Sequence, residues 1–297
     1  MSGAMILFGS SLFFLYALPP TGPASASGLG WPRPLLMGSA MAILVACVLG
    51  LLAQTIVLAG SPQDGLQLDA LSAAITGMSF GKSSVARAVT AILFIGAFAL
   101  FGRGRRGWWI AILAGGVICA SFAWMGHGAA TKGAGGLLHL ASDILHTLAA
   151  SVWIGALVAF LILLATDGRQ SGAGREALHA ALHGFSGLGS ALVAVLVATG
   201  LVNSWFVIGL AGVPHLWISA YGQLLTLKLV LFVVMVGLAA ANRFHLTPRL
   251  GAAVCETAPT HEAVVALRNS LAWETAISIA VLALVAWFGM LEPPSVS

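Results

Sequence analysis

The sequence predicts an all-α fold, a polytopic membrane bundle of about eight transmembrane helices, on three observations. Hydrophobic residues fill 59% of the 297 positions and charged residues only 7%, whereas a soluble domain carries about 25% charged residues. The apolar residues come in runs long enough to cross a hydrocarbon core of roughly 30 Å, which takes about 20 helical residues. Breakers rich in Pro, Gly and Ser separate the runs, and no β-barrel alternation is present, so the backbone can satisfy itself in lipid only as helices.

Eight spans follow in order: 3–18, 35–59, 84–101, 108–125, 137–165, 180–208, 222–241 and 269–291. The first is short, has no basic segment before it and is followed by Pro19-Pro20, so it reads as a span more than as a signal peptide. Pro19 to Pro34 separates spans one and two, and Gly102–Gly107 turns span three into span four. Gly133 to Gly136 precedes span five, and Thr247-Pro248 follows span seven. The chain reads as a single membrane domain, 1–297.

Loop charge orients the spans. The odd-numbered connections hold Arg33, Arg103, Arg105, Arg106, Arg169, Arg175, Arg243, Arg249 and Arg268. The even-numbered ones hold Lys82 and Lys132, with Arg87 at a helix edge. The positive-inside rule places the odd connections in the cytoplasm and both termini in the periplasm. The net charge of +4 therefore concerns membrane orientation. It gives no nucleic-acid footprint, because the basic residues sit in short loops and form no stripe. Phe80-Gly81 with Arg87, and Tyr221-Gly222 with Lys228, repeat an aromatic-Gly-x5-basic pattern 141 residues apart. Two four-helix halves, 1–130 and 131–297, would produce that spacing.

Cys47, Cys119 and Cys255 form no C-x-x-C pair, so a disulfide framework is not expected. Cys119 is a soft Cu(I) ligand if it faces inward. The richest stretch runs from Met125 through His127, His139, Asp143 and His146 to Trp153. His139, Asp143 and His146 are spaced i, i+4, i+7, and Trp153 continues the same helical face. An ionisable residue within a span costs about 2.5–3.5 kcal/mol on insertion scales, so three on one face point to function. Imidazole and carboxylate ligate first-row metals and a thioether selects Cu(I). Asp143 is also placed to orient a histidine. The bland alternative is an Asp–His pair that satisfies itself and pins two helices. Asn203, Trp205, His215, Tyr221 and Lys228 lie at the same depth by topology. Lys228 has a snorkelling reading as well. Glu274 sits about one turn into span eight as an exit ligand, a proton relay or a simple helix-end carboxylate. His179, His183, His245 and His261 read as interfacial or solvated. Met78 lies in the outer loop, and Met37, Met41, Met235 and Met290 read as lipid or core contacts.

The segments Trp124-Met125-Gly126-His127, Leu138-His139-Leu140-Ala141-Ser142-Asp143-Ile144-Leu145-His146 and Trp153-Ile154-Gly155-Ala156-Leu157 resemble the copper-resistance D (CopD) family. So do Phe185-Ser186, Thr199-Gly200-Leu201-Val202-Asn203, Tyr221-Gly222, Leu227-Lys228 and Ala241-Asn242-Arg243-Phe244-His245-Leu246-Thr247-Pro248. The resemblance is strong over about 120–250 and extends weakly through Glu274 to Pro294. It implies eight spans in a bacterial inner membrane, copper uptake from periplasm to cytoplasm, and a separate periplasmic copper-binding partner of the CopC type. Family members usually carry polar or aromatic residues ahead of the first apolar run, where this chain starts with Met5-Ile6-Leu7-Phe8.

The expected activity is therefore copper transport, as Cu(I) or Cu(II), and not enzymatic catalysis. The expected metal ligands are His127, His139, Asp143, His146 and Met125. Trp153, Asn203, Tyr221, Lys228 and Glu274 support the site or line its pathway. No G-x-x-x-x-G-K-[ST] motif signals an ATP motor. The rival is a haem b electron-transfer protein of cytochrome b type. His139 and His146, however, stand about 10 Å apart along one helix, too far to ligate one iron from both faces. A third reading is a structural membrane subunit whose stripe docks another protein.

Overall fold

A helix that is apolar on every side needs protein or lipid on every side, and α1 (Ser2–Tyr16) is such a helix. In the computed structural model, which describes residues 1–102, 104–125, 133–166, 172–212, 214, 217–248 and 260–288, nine of the fifteen α1 residues are buried. The helices that follow are α2 (Pro32–Ala59), α3 (Pro62–Gly65), α4 (Leu68–Gly77), α5 (Ser79–Phe101), α6 (Arg105–Ser121), α7 (Ala134–Thr166), α8 (Gly172–Gly212), α9 (Ala220–Ala241) and α10 (Thr260–Phe288). A 3₁₀ turn, Phe122–Met125, closes α6, and a π-helical turn, Asn242–Leu246, extends α9. No strand occurs among the described residues. Seven helices are long and apolar enough to cross a membrane, and α1 is a shorter apolar helix beside them. Together they match the eight expected segments.

Three boundaries differ from the sequence expectation in ways that matter. The connection after span two contains α3 and α4. Ser61 caps α3 by accepting from the Asp64 N–H, and Pro62 sits in its first turn. Helix α5 begins at Ser79, so Arg87 lies eight residues inside it and is buried, not at its edge. Helix α10 begins at Thr260, so Glu274 lies fourteen residues in, far from the helix end.

The chain divides into two compact units, Met1–Gly155 and Ala156–Ser297. In the first, α1 is central: it packs on α2 and α6, and on α7 through glycine. A side chain at Gly9 would collide with the backbone of Ser151, and one at Gly155 with the backbone of Ser10. The Ser10 hydroxyl donates to the Gly155 carbonyl at 3.0 Å. Small residues at close helix crossings are how helices associate in lipid, where apolar burial gives no driving force. At one end of the unit Phe14 meets Trp31 and Trp108 edge-on, at 5.3 and 5.4 Å between ring centroids. There the Arg33 guanidinium covers the Phe98 ring at 5.1 Å and donates to the Gly102 carbonyl at 3.1 Å. At the opposite end Arg87 lies over Phe122 at 4.5 Å.

In the second unit α8 is broken at Gly209, whose φ of 62° only glycine adopts without strain. The Ser219 hydroxyl caps α9 by accepting from the Gly222 N–H at 3.1 Å. Helix α10 packs along α9 and its π turn. The π turn precedes Pro248, which has no N–H and crowds the carbonyl four residues back. The wider ring, closed by the Thr247 N–H on the Asn242 carbonyl, accommodates it. The Arg243 guanidinium donates to the Ser190 hydroxyl and stacks against Phe244.

Candidate metal centre

The candidate ligands on α7 lie on its covered side. At about 100° per residue, His139, Asp143, His146 and Trp153 fall within roughly 80° of one another. Leu137 and Leu138 on the other side are 77% and 59% exposed, and Leu145 is exposed as well. His139 is 3% exposed and is flanked by buried Ser142 and Thr147, while Asp143 and His146 are half-buried. The N-terminal part of α7 is thus amphipathic in the membrane sense, with leucines on its exposed side and titratable groups on its covered side.

The three groups succeed one another along the axis, about 6 Å from His139 to Asp143 and about 4.5 Å from there to His146. On one helix the three groups are therefore strung along the axis and not gathered around one point. Consistent with that spacing, no group of three or more His, Cys, Asp or Glu is gathered at metal-binding range among the described residues. His127, the ligand expected from the neighbouring segment, lies outside the described residues. Met125 closes the 3₁₀ turn, and its side chain lies outside them too. Trp153 is buried, and its indole N–H has no hydrogen-bond partner among the described residues.

Cys119 faces into the first unit: it is fully buried, and its sulfur lies 3.4 Å from the Ser151 hydroxyl. Ser151 also reaches the Thr147 carbonyl at 2.6 Å. Arg87 was not among the expected site residues. Its Nε donates to the Ser83 carbonyl at 3.0 Å and its Nη2 to the Ser84 hydroxyl at 3.4 Å. A buried guanidinium beside α6 puts a fixed positive charge in the first unit. The sequence signal for it was the Phe80-Gly81-x5-Arg87 repeat.

The remaining expected residues belong to the second unit. Asn203 is on α8, with a buried Oδ1 that has no partner among the described residues. Tyr221 is buried in the first turn of α9, and Lys228 is half-buried two turns later. Tyr221-Gly222 and Phe80-Gly81 hold the same register, as second and third residues of α9 and α5. Glu274 is 2% exposed and accepts a hydrogen bond from Asn242 Nδ2 at 3.2 Å. Asn242 was not expected as a site residue. His215, Met290 and Cys255 lie outside the described residues, as do the side chains of His179, His183 and His261. His245, Met41 and Met78 are exposed.

Comparison with known proteins covers both units. The family described as Copper resistance protein D matches residues 179–288, and the Copper resistance protein D-like N-terminal domain matches residues 1–137. The α7 stripe lies between the two matched stretches. Copper resistance protein D of Pseudomonas syringae pv. tomato is 35% identical over 296 residues, covering 97% of this chain and 93% of that protein. Inner membrane protein YebZ of Escherichia coli K12 is 30% identical over 58% of the chain and 55% of its own length. Copper transport protein CutJ of Bacillus subtilis 168 is 32% identical over 51% of the chain and 25% of its own length. No solved structure matches. With one relative aligned along nearly its whole length and a family match at each end, the chain belongs to the copper resistance protein D family.

Proposed function

We propose that this protein carries copper across the bacterial inner membrane, importing it from the periplasm through a passage that begins at the α7 stripe. The observation that carries the reading is the placement of His139, Asp143 and His146 on the covered face of α7, opposite the exposed Leu137, Leu138 and Leu145. Ionisable groups held in lipid at that cost mark ion pathways. In this reading His139 and His146 are imidazole ligands, and Asp143 ligates or orients them. His127 and Met125 complete the set from the segment after α6. Trp153, Asn203, Tyr221, Lys228 and Glu274 line the route onward. Both chain ends face the periplasm, where a CopC-type copper-binding protein would deliver the ion. The family name and the printed names of two relatives, Copper resistance protein D and Copper transport protein CutJ, support copper as the cargo.

Metal analysis of detergent-purified protein tests this directly. The wild type should retain copper in a fixed ratio to chain, and the His139→Ala/His146→Ala double variant should lose it. A ratio unchanged in the double variant would remove the α7 stripe from the reading. A Soret band that disappears in the same variant would replace copper by haem.

A further inference from the structure

Few side chains of α9 are buried. In order they are Tyr221, Gly222 and Met235, followed by Asn242 in the π turn. With half-buried Lys228, the large residues of this set recur every seven positions: 221, 228, 235, 242. Seven residues are about two turns, so these four form one seam along the helix, and α10 packs beside it. At the Asn242 end the seam is polar and closed. Asn242 and Glu274 are 7% and 2% exposed, and the amide donates to Glu274 Oε1 at 3.2 Å. The Ser278 hydroxyl lies 3.2 Å from Met235 Sδ and 2.9 Å from the Glu274 carbonyl. Two buried oxygens here have no partner among the described residues: Asn242 Oδ1, and Ser270 Oγ one turn before Glu274 on the same face of α10.

The Asn242 oxygen describes a two-state group. A buried carbonyl oxygen such as Asn242 Oδ1 lacks a donor, and leaving it unmatched costs about 1–3 kcal/mol. A carboxylate has no hydrogen to give it, whereas a carboxylic acid does. We propose that Glu274 is an exchangeable proton site, its neutral carboxyl closing a ring with the Asn242 amide: Nδ2–H donates to Oε1, and Oε2–H donates to Oδ1. On release one proton passes from Oε2 to water, giving the carboxylate and a hydronium ion.

No described cation opposes Glu274. Lys228 lies on the same α9 seam, but about 21 Å along the axis from Asn242. In the π turn Arg243 is engaged with Ser190 and Phe244, and His245 is exposed. On α10 Arg268 is about 9 Å back along the helix and roughly 120° around it, and Glu262 is exposed. On α8 the side chains of Arg175, Glu176, His179 and His183 lie outside the described residues. The proposal is argued from the second unit alone and does not require copper, although the copper reading also places Glu274 on its route.

Infrared spectroscopy of the purified full chain tests it. At neutral pH the wild type should show a protonated-carboxyl C=O stretch that shifts in D2O and on ¹³C-labelling of glutamate. Glu274→Gln should lack that band, and Asn242→Leu should move it. The labelled wild type requires no variant to fold. Absence of any label-sensitive protonated band at neutral pH overturns the proposal, as does a band that Glu274→Gln retains or that Asn242→Leu leaves in place. Copper content measured on the same samples separates the two readings. A protein with the band and no copper keeps the proton site and loses the transport reading.

Discussion

The two units hold their helices together by different chemistry. The first is dry and close: α1 is buried on nearly all sides, crosses α7 at Gly9 and Gly155, and ends in a cluster of Phe14, Trp31, Phe98 and Trp108. The second is open: of the apolar stretches of α9 and α10 only 6% and 17% are buried, against 28% and 39% for α5 and α6 of the first. What α9 does bury is a narrow seam with Met235, Asn242 and the α10 carboxylate in it. Both solutions follow from one constraint. In lipid an apolar side chain gains nothing by leaving the tails for a neighbouring helix, so association comes from close packing or from polar bonds. The first unit uses mainly packing and the second mainly polar bonds, which makes their responses to mutation opposite in kind.

The largest effect should come from filling the α1–α7 crossing. Gly9→Val or Gly155→Val drives a branched side chain into the backbone of the partner helix. The backbone cannot repack as a side chain would, so the cost should reach about 3 kcal/mol or more. Loss of folded yield and of the melting transition in detergent is the expected readout. The counterpart in the second unit is Gly237 on α9, which has nothing within 4 Å. Gly237→Ala should be neutral or stabilise by up to about 1 kcal/mol through helix propensity. If both units tolerate or both reject the added side chain, the contrast fails.

Next in size is a double-mutant cycle on the polar clasp. Asn242→Leu alone leaves Glu274 without its described hydrogen-bond partner, a loss of about 1–3 kcal/mol. Asn242→Leu combined with Glu274→Leu removes both partners and should recover most of that loss. Additive losses in melting temperature would mean the pair is not the coupled unit that its 3.2 Å contact indicates.

How much of this was legible in the sequence depends on periodicity. The eight segments and the α7 stripe were readable because runs and i, i+4, i+7 spacings survive in one dimension. The central place of α1 was not, since a helix that is apolar all round gives no direction to its packing. Helices α3 and α4 were hidden in a connection, although Ser61, Pro62 and Asp64 are start signals for α3. Arg87 was misplaced to a helix edge because the start of α5 carries Ser83, Ser84 and Lys82, which read as loop. Asn242 was visible only as part of a motif. Its role needed the register with Tyr221, Lys228 and Met235, and the partner on α10 thirty-two residues later.

A smaller effect tests the charge carried by the first unit. Arg87→Lys keeps the charge but loses the planar group that lies over Phe122 and reaches Ser83 and Ser84. Arginine and lysine are not equivalent at such a stacked site, and the loss should be about 1–2 kcal/mol, the range of a desolvated cation–π contact. The corresponding Lys228→Arg exchange, at the same register of α9, should cost less because Lys228 is only half-buried. Melting temperatures of the two variants, measured side by side, decide whether the shared motif does the same work in both units.

The smallest expected effect is at Trp153, where the dry unit meets its own stripe. The buried indole N–H has no described acceptor, so Trp153→Phe removes an unmatched donor, worth about 1–3 kcal/mol if nothing else moved. The same exchange removes the five-membered ring and leaves a void, which costs a comparable amount in a packed interior. The two terms oppose, and the net change in stability should stay under about 1 kcal/mol. Copper content should be unchanged, because Trp153 lies about two turns beyond His146 and offers no metal ligand. A large loss of copper with an unchanged melting temperature would show that the indole positions the α7 ligands.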